Sequence, residues 1–219
     1  MNEQHRILIT GGTEYVGGRL IPLLQDRDSE FQLRLMAGQP DYLRARVGDG
    51  IEIIAGDVTQ PATLDAVLQC VDTAYYLGQS MGSGGDFEDR DLPAARNFAD
   101  AAKANDVKPI IYLGGRGDHD EIFPKHLRSG HEVCSVSRES GVQVIELQAS
   151  IVIGSGSLSF EVIRALVQKL HRMICPKWVS TCAQPIAIED VLAYLCLALE
   201  HEPGDSRAYE IAGLTRFLS

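Results

Sequence analysis

Residues Ile9 to Gly18 read ITGGTEYVGG, and they follow directly on a short apolar run, Arg6 to Thr10 (RILIT). A run of that kind makes a buried parallel strand. A glycine-rich turn that opens from it into a helix presents backbone N–H groups to an anion at the positive end of the helix dipole. The chemistry this suits is the holding of a pyrophosphate. Gly11 fits the tight turn, Gly17 the close packing of helix on sheet, and the N–H groups from Thr13 through Glu14 and Tyr15 to Val16 face the anion. The middle position of the T-G-x-x-G-x-x-G pattern, where glycine lets backbone approach phosphate, is Glu14. A carboxylate about 5 Å from a phosphate charge costs about 3 kcal/mol at an effective dielectric of 20 and under about 1 kcal/mol across water, against about 8 kcal/mol for micromolar binding. Repulsion alone therefore weakens a dinucleotide without abolishing it, and steric blockage depends on which way the side chain turns. The bland alternative is a tight strand-to-helix turn that binds nothing. A Walker A reading fails, because Gly18 and Arg19 stand where lysine and Ser/Thr belong.

A second candidate is Gly56-Asp57-Val58, which puts an acid at a strand's carboxyl end. That place suits a hydrogen bond to an adenine amino group, and it equally suits an N-cap for the helix starting near Pro61. A third is Gly78-Gln79-Ser80 and the MGSGGD that follows, a loop whose glycines offer backbone to a ligand or simply make it pliant. His131 and Cys134 sit three apart with no second ligand pair, a spacing that specifies no metal site.

The elements that must position these residues follow from periodicity. Apolar runs at Arg6 to Thr10, Phe31 to Met36, Ile51 to Ala55, Thr73 to Leu77, Pro109 to Leu113 and Val142 to Leu147 predict strands. Helical patterns lie at Tyr15 to Gln25, Pro61 to Gln69, Phe87 to Ala104 and Pro124 to Ser140. Two more helices, Ser159 to His171 and Ile188 to Glu200, precede a last short strand at Arg207 to Ile211. This βα alternation predicts an α/β, doubly wound parallel sheet with ligands at the carboxyl ends of its strands. No repeat or linker marks a second domain, so residues 1–219 read as one domain, with a small substrate-side portion from about 151.

The segments ITGGTEYVGG, GDVTQP, YYLGQSMGSGGDF, IIYLGG, HLRSGHEV, ASIVIGSGS and CPKWV followed by QPIAIEDVLAYL resemble the atypical, extended-type short-chain dehydrogenase/reductase superfamily, in particular its NmrA-like, epimerase-related NAD(P)-binding branch. The resemblance runs over almost the whole chain. It implies a Rossmann-like fold, NAD or NADP as cofactor, and an oxidoreductase or epimerase-type activity. The alternative it leaves open is a non-catalytic sensor or interaction protein with weakened or lost dinucleotide binding. The sequence departs from the superfamily's pattern four times. Glu14 replaces the middle glycine. Gly38 lies where related proteins often carry an arginine for the 2′-phosphate of NADP, leaving Arg34, Arg44 and Arg46 as cations near enough in sequence to fold over the site. Gly114 and Gly115 follow the fifth strand where catalytic members carry serine or threonine. His126 and Gly130 occupy the places of the Tyr-x-x-x-Lys pair, so His126 is the candidate acid or base, or else an ordinary histidine at a helix start. Multi-domain relatives continue past the final strand; ending at AYEIAGLTRFLS leaves either a shallow, partly open pocket or a fragment of a longer protein.

Composition narrows the classes further. Net charge is -10, from 30 acidic and 20 basic residues, and without a basic cluster nucleic acid is not expected as a partner. No apolar run approaches the ~20 residues that span a bilayer, and the opening MNEQHRILIT has no secretory or transit pattern. Five cysteines with no C-x-x-C pair suit a reducing compartment, and a cytoplasmic location is expected.

Overall fold

The computed structural model describes residues 4–27, 31–48, 50–77, 87–115, 135–169, 184–201 and 204–213. In chain order the elements begin with β1 (His5–Ile9), α1 (Gly17–Arg27), β2 (Phe31–Ala37), α2 (Pro40–Arg44), β3 (Glu52–Ala55), α3 (Pro61–Leu68), β4 (Thr73–Tyr76) and α4 (Phe87–Ala104). They continue with β5 (Ile110–Gly115), a short helical stretch α5 (135–139), β6 (Val144–Ala149), β7 (Val152–Ile153), α6 (Leu158–Lys169), β8 (Ile186–Ala187), α7 (Ile188–Ala198) and β9 (Arg207–Ile211). Seven strands form one parallel sheet in the order β3-β2-β1-β4-β5-β6-β9, and β7 pairs with β8 in a separate two-stranded ribbon.

Because both faces are covered, the central strands are apolar at consecutive positions, and their alternation divides the core in two. Ile7, Ile9, Leu33, Leu35, Tyr75, Ile111, Ile145 and Leu147 pack with α1 and α7. Leu8, Met36, Ala74, Tyr76, Ile110, Tyr112 and Val144 pack with α3 and α4. Each fully buried side chain of this size contributes about 1.5–3 kcal/mol, which is why the sheet holds its register. Several polar groups inside this frame are paired. The Tyr75 hydroxyl donates to the Leu195 carbonyl at 2.8 Å, fastening α7 to β4. Buried Glu146 accepts from Arg138 at 3.1 Å and from Gln148 at 2.9 Å.

The sheet order has a consequence for the site. From β1 the chain moves outward through α1 to β2 and β3, then crosses back to place β4 on the other side of β1. The switch point, where such sheets open a crevice for ligands, is therefore at the carboxyl ends of β1 and β4.

Several boundaries differ from those expected. α1 begins at Gly17, because the residues before it are spent on a turn in which the Glu14 amide donates to the Gly11 carbonyl at 2.9 Å. α2, five residues long, is too short to show a helical period. β5 runs on through Gly114 and Gly115, since pairing continues to Gln148 and Ala149 of β6. Of the helix expected at Pro124 to Ser140 only the end falls among the described residues, and 135–139 is helical. Gly78, Gln79, His126, Gly130, His131 and Cys134 lie outside the described residues. Among those described, no helix is long and apolar enough to cross a membrane.

Candidate functional site

Thr10 closes β1 and joins it to its neighbour across the switch point. Its hydroxyl donates to the Tyr75 carbonyl at 3.3 Å and accepts from the Leu77 amide at 3.1 Å. Sequence reasoning saw Thr10 only as a strand end; a hydroxyl directly before the glycines was the available signal. From this anchor the chain turns at Gly11, whose φ of +68° lies in the left-handed region that favours glycine. Gly17 is buried, and a Cβ there would collide with the Gly11 carbonyl oxygen. The start of α1 thus lies on the turn itself, a closer contact than the helix-on-sheet packing expected for this glycine.

The helical ladder begins with the Gly18 amide donating to the Glu14 carbonyl at 2.9 Å. The amides of Thr13, Tyr15, Val16 and Gly17 donate to nothing among the described residues. They are the donors a helix start leaves open, and with the helix dipole they form an anion cradle. Glu14, whose carbonyl accepts that first bond, has an exposed side chain, as does Thr13. Its own amide, spent on Gly11, is not part of the cradle.

The Gly56-Asp57-Val58 segment follows β3. The Asp57 carboxylate accepts from the Thr59 amide at 2.8 Å, the Thr59 hydroxyl at 2.7 Å and the Gln60 side chain at 3.3 Å. The Thr59 hydroxyl, then its amide, hold the Asp57 carboxyl below its ordinary value, with burial opposing them. The N-cap expectation is corrected: the cap of α3 is Gln60, with no side-chain capping bond, and Asp57 instead braces the loop ahead of it. Asn97 of α4 donates to the Val58 carbonyl at 3.1 Å, a clamp that sequence reasoning missed because Asn97 lies beside the helix's apolar stripe.

Beyond β2, Gly38 is exposed, and a Cβ there would meet nothing within 4 Å. Of the three arginines considered for this region, Arg34 is ruled out. It is buried, 6% exposed, and its guanidinium donates to Glu52 at 2.7 Å and to the carbonyls of Val67 and Gln69 at 2.8 and 2.7 Å. Arg34 therefore joins β2, β3 and the end of α3. Arg44 pairs with Asp41 on α2, and Arg46 stacks on the Tyr42 ring at 5.0 Å.

At the end of β5 the absence of a side chain has a steric cause. A Cβ on Gly114 would lie 2.8 Å from the ring of Tyr112, itself buried and stacked on Tyr76. A serine at this place would require that ring to move.

A dinucleotide fits these residues, since the open amides lie at the switch point behind two glycines whose missing side chains shape the turn. Comparisons with known proteins agree. The chain is 24% identical to sanguinarine reductase of Eschscholzia californica over 57% of its length, and spans 59% of that protein. It is 25% identical to the (4-alkanoyl-5-oxo-2,5-dihydrofuran-3-yl)methyl phosphate reductase of Streptomyces griseus over 94% of its length and 67% of that protein. In fold it is similar to the Citrobacter sp. triphenylmethane reductase solved with NADP(H), with a TM-score of 0.76 at 18% identity, covering 97% of this chain and 72% of that one. The family described as NAD(P)H-binding matches residues 11–150, from the first glycine of the turn to just past β6, and the chain belongs to that family.

Proposed function

We propose that the protein is an oxidoreductase or epimerase-type enzyme that holds NAD or NADP across the switch point. The observation that carries the reading is the set of open amides at Thr13, Tyr15, Val16 and Gly17, placed where β1 and β4 diverge. These amides would hold the pyrophosphate. Asp57 and Val58 would meet the adenine, with the loop stiffened by Thr59 and Asn97. Gly38 would border the adenosine ribose, and Gly78 and Gln79, next in sequence after β4 and Leu77, are proposed as further contacts. When bound, the nicotinamide supplies a hydride donor or acceptor. The residues that position it act mainly by orientation, and His126 is the residue proposed to hold or release a proton.

With Arg34 engaged elsewhere, neither the 2′-hydroxyl nor the 2′-phosphate has a dedicated partner among the described residues beyond Arg44 and Arg46. We expect a preference between NADH and NADPH below about a hundredfold, roughly 2.7 kcal/mol. The same reading takes residues 1–219 as one domain of the NmrA-like branch in the cytoplasm, where the free thiols of Cys70 and Cys196 would persist.

Titration of the purified protein with NADH and NADPH, followed by nicotinamide fluorescence, tests the proposal. Saturable binding at micromolar concentrations is expected; no binding of either at millimolar concentration overturns it. A second reading, a sensor that binds the nucleotide without turnover, is favoured by the Tyr112 ring filling the space beside Gly114. Binding of NADPH with no oxidation across a panel of ketones, enals and quinones supports that reading over the first.

A further inference from the structure

Arg19 lies in the first turn of α1, yet its bonds lead away from the helix. Its guanidinium carbon is 4.0 Å from the centroid of the Tyr15 ring. One terminal nitrogen donates to the Tyr15 carbonyl at 3.1 Å, and the other to the Ser155 carbonyl at 2.8 Å, 136 residues along the chain. The turn it reaches, between β7 and α6, packs against Tyr15 as well. Gly154 fits between the Tyr15 hydroxyl and the Ile188 side chain with no room for a Cβ. Gly156 has φ +77°, and a Cβ there would lie 3.7 Å from the Arg19 nitrogen. Ser157 then donates to the Val152 carbonyl at 2.8 Å and starts α6.

Tyr15 is the shared member. Its carbonyl, which Arg19 binds, and the amide of Val16, which is open in the anion cradle, are the two ends of one peptide unit. An anion accepting from the Val16 N–H polarises that unit and makes the Tyr15 carbonyl a stronger acceptor, an effect of about 10–30% per bond in a hydrogen-bonded chain. The fork that grips this carbonyl grips Ser155 as well. We propose that Arg19 is a positioning residue, linking occupancy of the nucleotide turn to the placement of Gly154–Ser157 and of the start of α6. The proposal rests on the nucleotide reading above. Linkage makes it reciprocal, so loosening the strap also weakens the nucleotide.

Hydrogen exchange with and without saturating NADPH tests it, using wild type, Arg19→Ala and Arg19→Lys. Lysine keeps the charge but loses the planar fork and the stacking. In the wild type, NADPH is expected to protect peptides covering both 11–20 and 152–160. In both variants protection of 11–20 should persist while that of 152–160 is lost, and affinity for NADPH should fall threefold or more. Without nucleotide, both variants should exchange faster at 152–160 than the wild type, which tests the strap itself while unchanged protection of β1 and β4 reports an intact fold. Protection of 152–160 that survives in Arg19→Ala, is missing in the wild type, or is restored by lysine overturns the proposal. If NADPH protects neither peptide in the wild type, the nucleotide reading fails and the linkage falls with it, an outcome distinct from protection of 11–20 alone.

Discussion

Glu14 lies in sequence between the open amides of Thr13 and Tyr15, and replacing it measures what the cradle does. Two variants separate charge from shape. Glu14→Gln removes the charge and keeps the chain, whereas Glu14→Gly removes both. The side chain is exposed, so its repulsion toward a phosphate about 5 Å away acts through water, about 0.8 kcal/mol at a dielectric of 80. That energy is about a fourfold change in Kd, well below the hundredfold that a buried carboxylate would produce. The φ of Glu14 is not among the positive ones, so glycine contributes no relief of strain. It does lose chain entropy at a helix start, about 0.5–1 kcal/mol, and both variants lose a favourable interaction with the helix dipole of about 0.3–1 kcal/mol. Calorimetric titration with NADPH at low salt should show both variants binding about fourfold more tightly than the wild type and agreeing with each other within about threefold. The gain should shrink toward nothing at 1 M salt, where the Debye length falls to about 3 Å. An unchanged affinity at low salt, or a gain indifferent to salt, would refute the electrostatic account. A gain in Glu14→Gly alone, tenfold or more, would show that the side chain blocks the backbone rather than repelling the phosphate.

Three further outcomes follow from the packing. The Tyr15 hydroxyl is buried without a hydrogen-bond partner, so Tyr15→Phe should stabilise the protein by about 1 kcal/mol, raising Tm by roughly 2–4 °C in calorimetry; a fall in Tm would mean that the hydroxyl is satisfied. Arg34→Ala leaves the Val67 and Gln69 carbonyls at the end of α3 without their charged donor and should cost about 3 kcal/mol by urea unfolding, with Arg34→Lys failing to recover it; a loss below about 1 kcal/mol would contradict the joint role given to Arg34. The Asp57 carboxyl titrates below its ordinary 3.8 in the folded protein, so its contribution is full above about pH 4 and is lost as pH falls through the lower folded value. The stability of wild type relative to Asp57→Asn should therefore decline between pH 5 and pH 2, and a difference independent of pH would remove the Thr59 bonds as its cause.

What the sequence determined by itself was local. Apolar runs such as RILIT and PIIYL, bounded by turn residues, read as buried strands, and ITGGTEYVGG announces a glycine turn, which the structure accounts for by a positive φ at Gly11 and the contact of Gly17 with the Gly11 carbonyl. The helices at Pro61, Phe87 and Ile188 were legible because each carries a buried stripe over several turns. The five-residue helix α2 and the two-residue strands β7 and β8 were not, since each is too short for its own type of period to show. Everything that depended on where distant residues meet was decided by the tertiary structure. Arg34, Arg44 and Arg46 were equal candidates along the chain. Burial and its bonds to Glu52 and to the carbonyls of Val67 and Gln69 remove the first, because a buried guanidinium already held by three acceptors does not also reach a ligand. Asp57 was as good a helix cap as an adenine contact until the structure gave the cap to Gln60 and bound the Asp57 carboxylate to Thr59, which removes the capping role alone. The exposure of Glu14 and the strap from Arg19 to Ser155 were equally hidden, since side-chain direction and contact between residues 136 positions apart come from packing and leave no pattern in a single sequence.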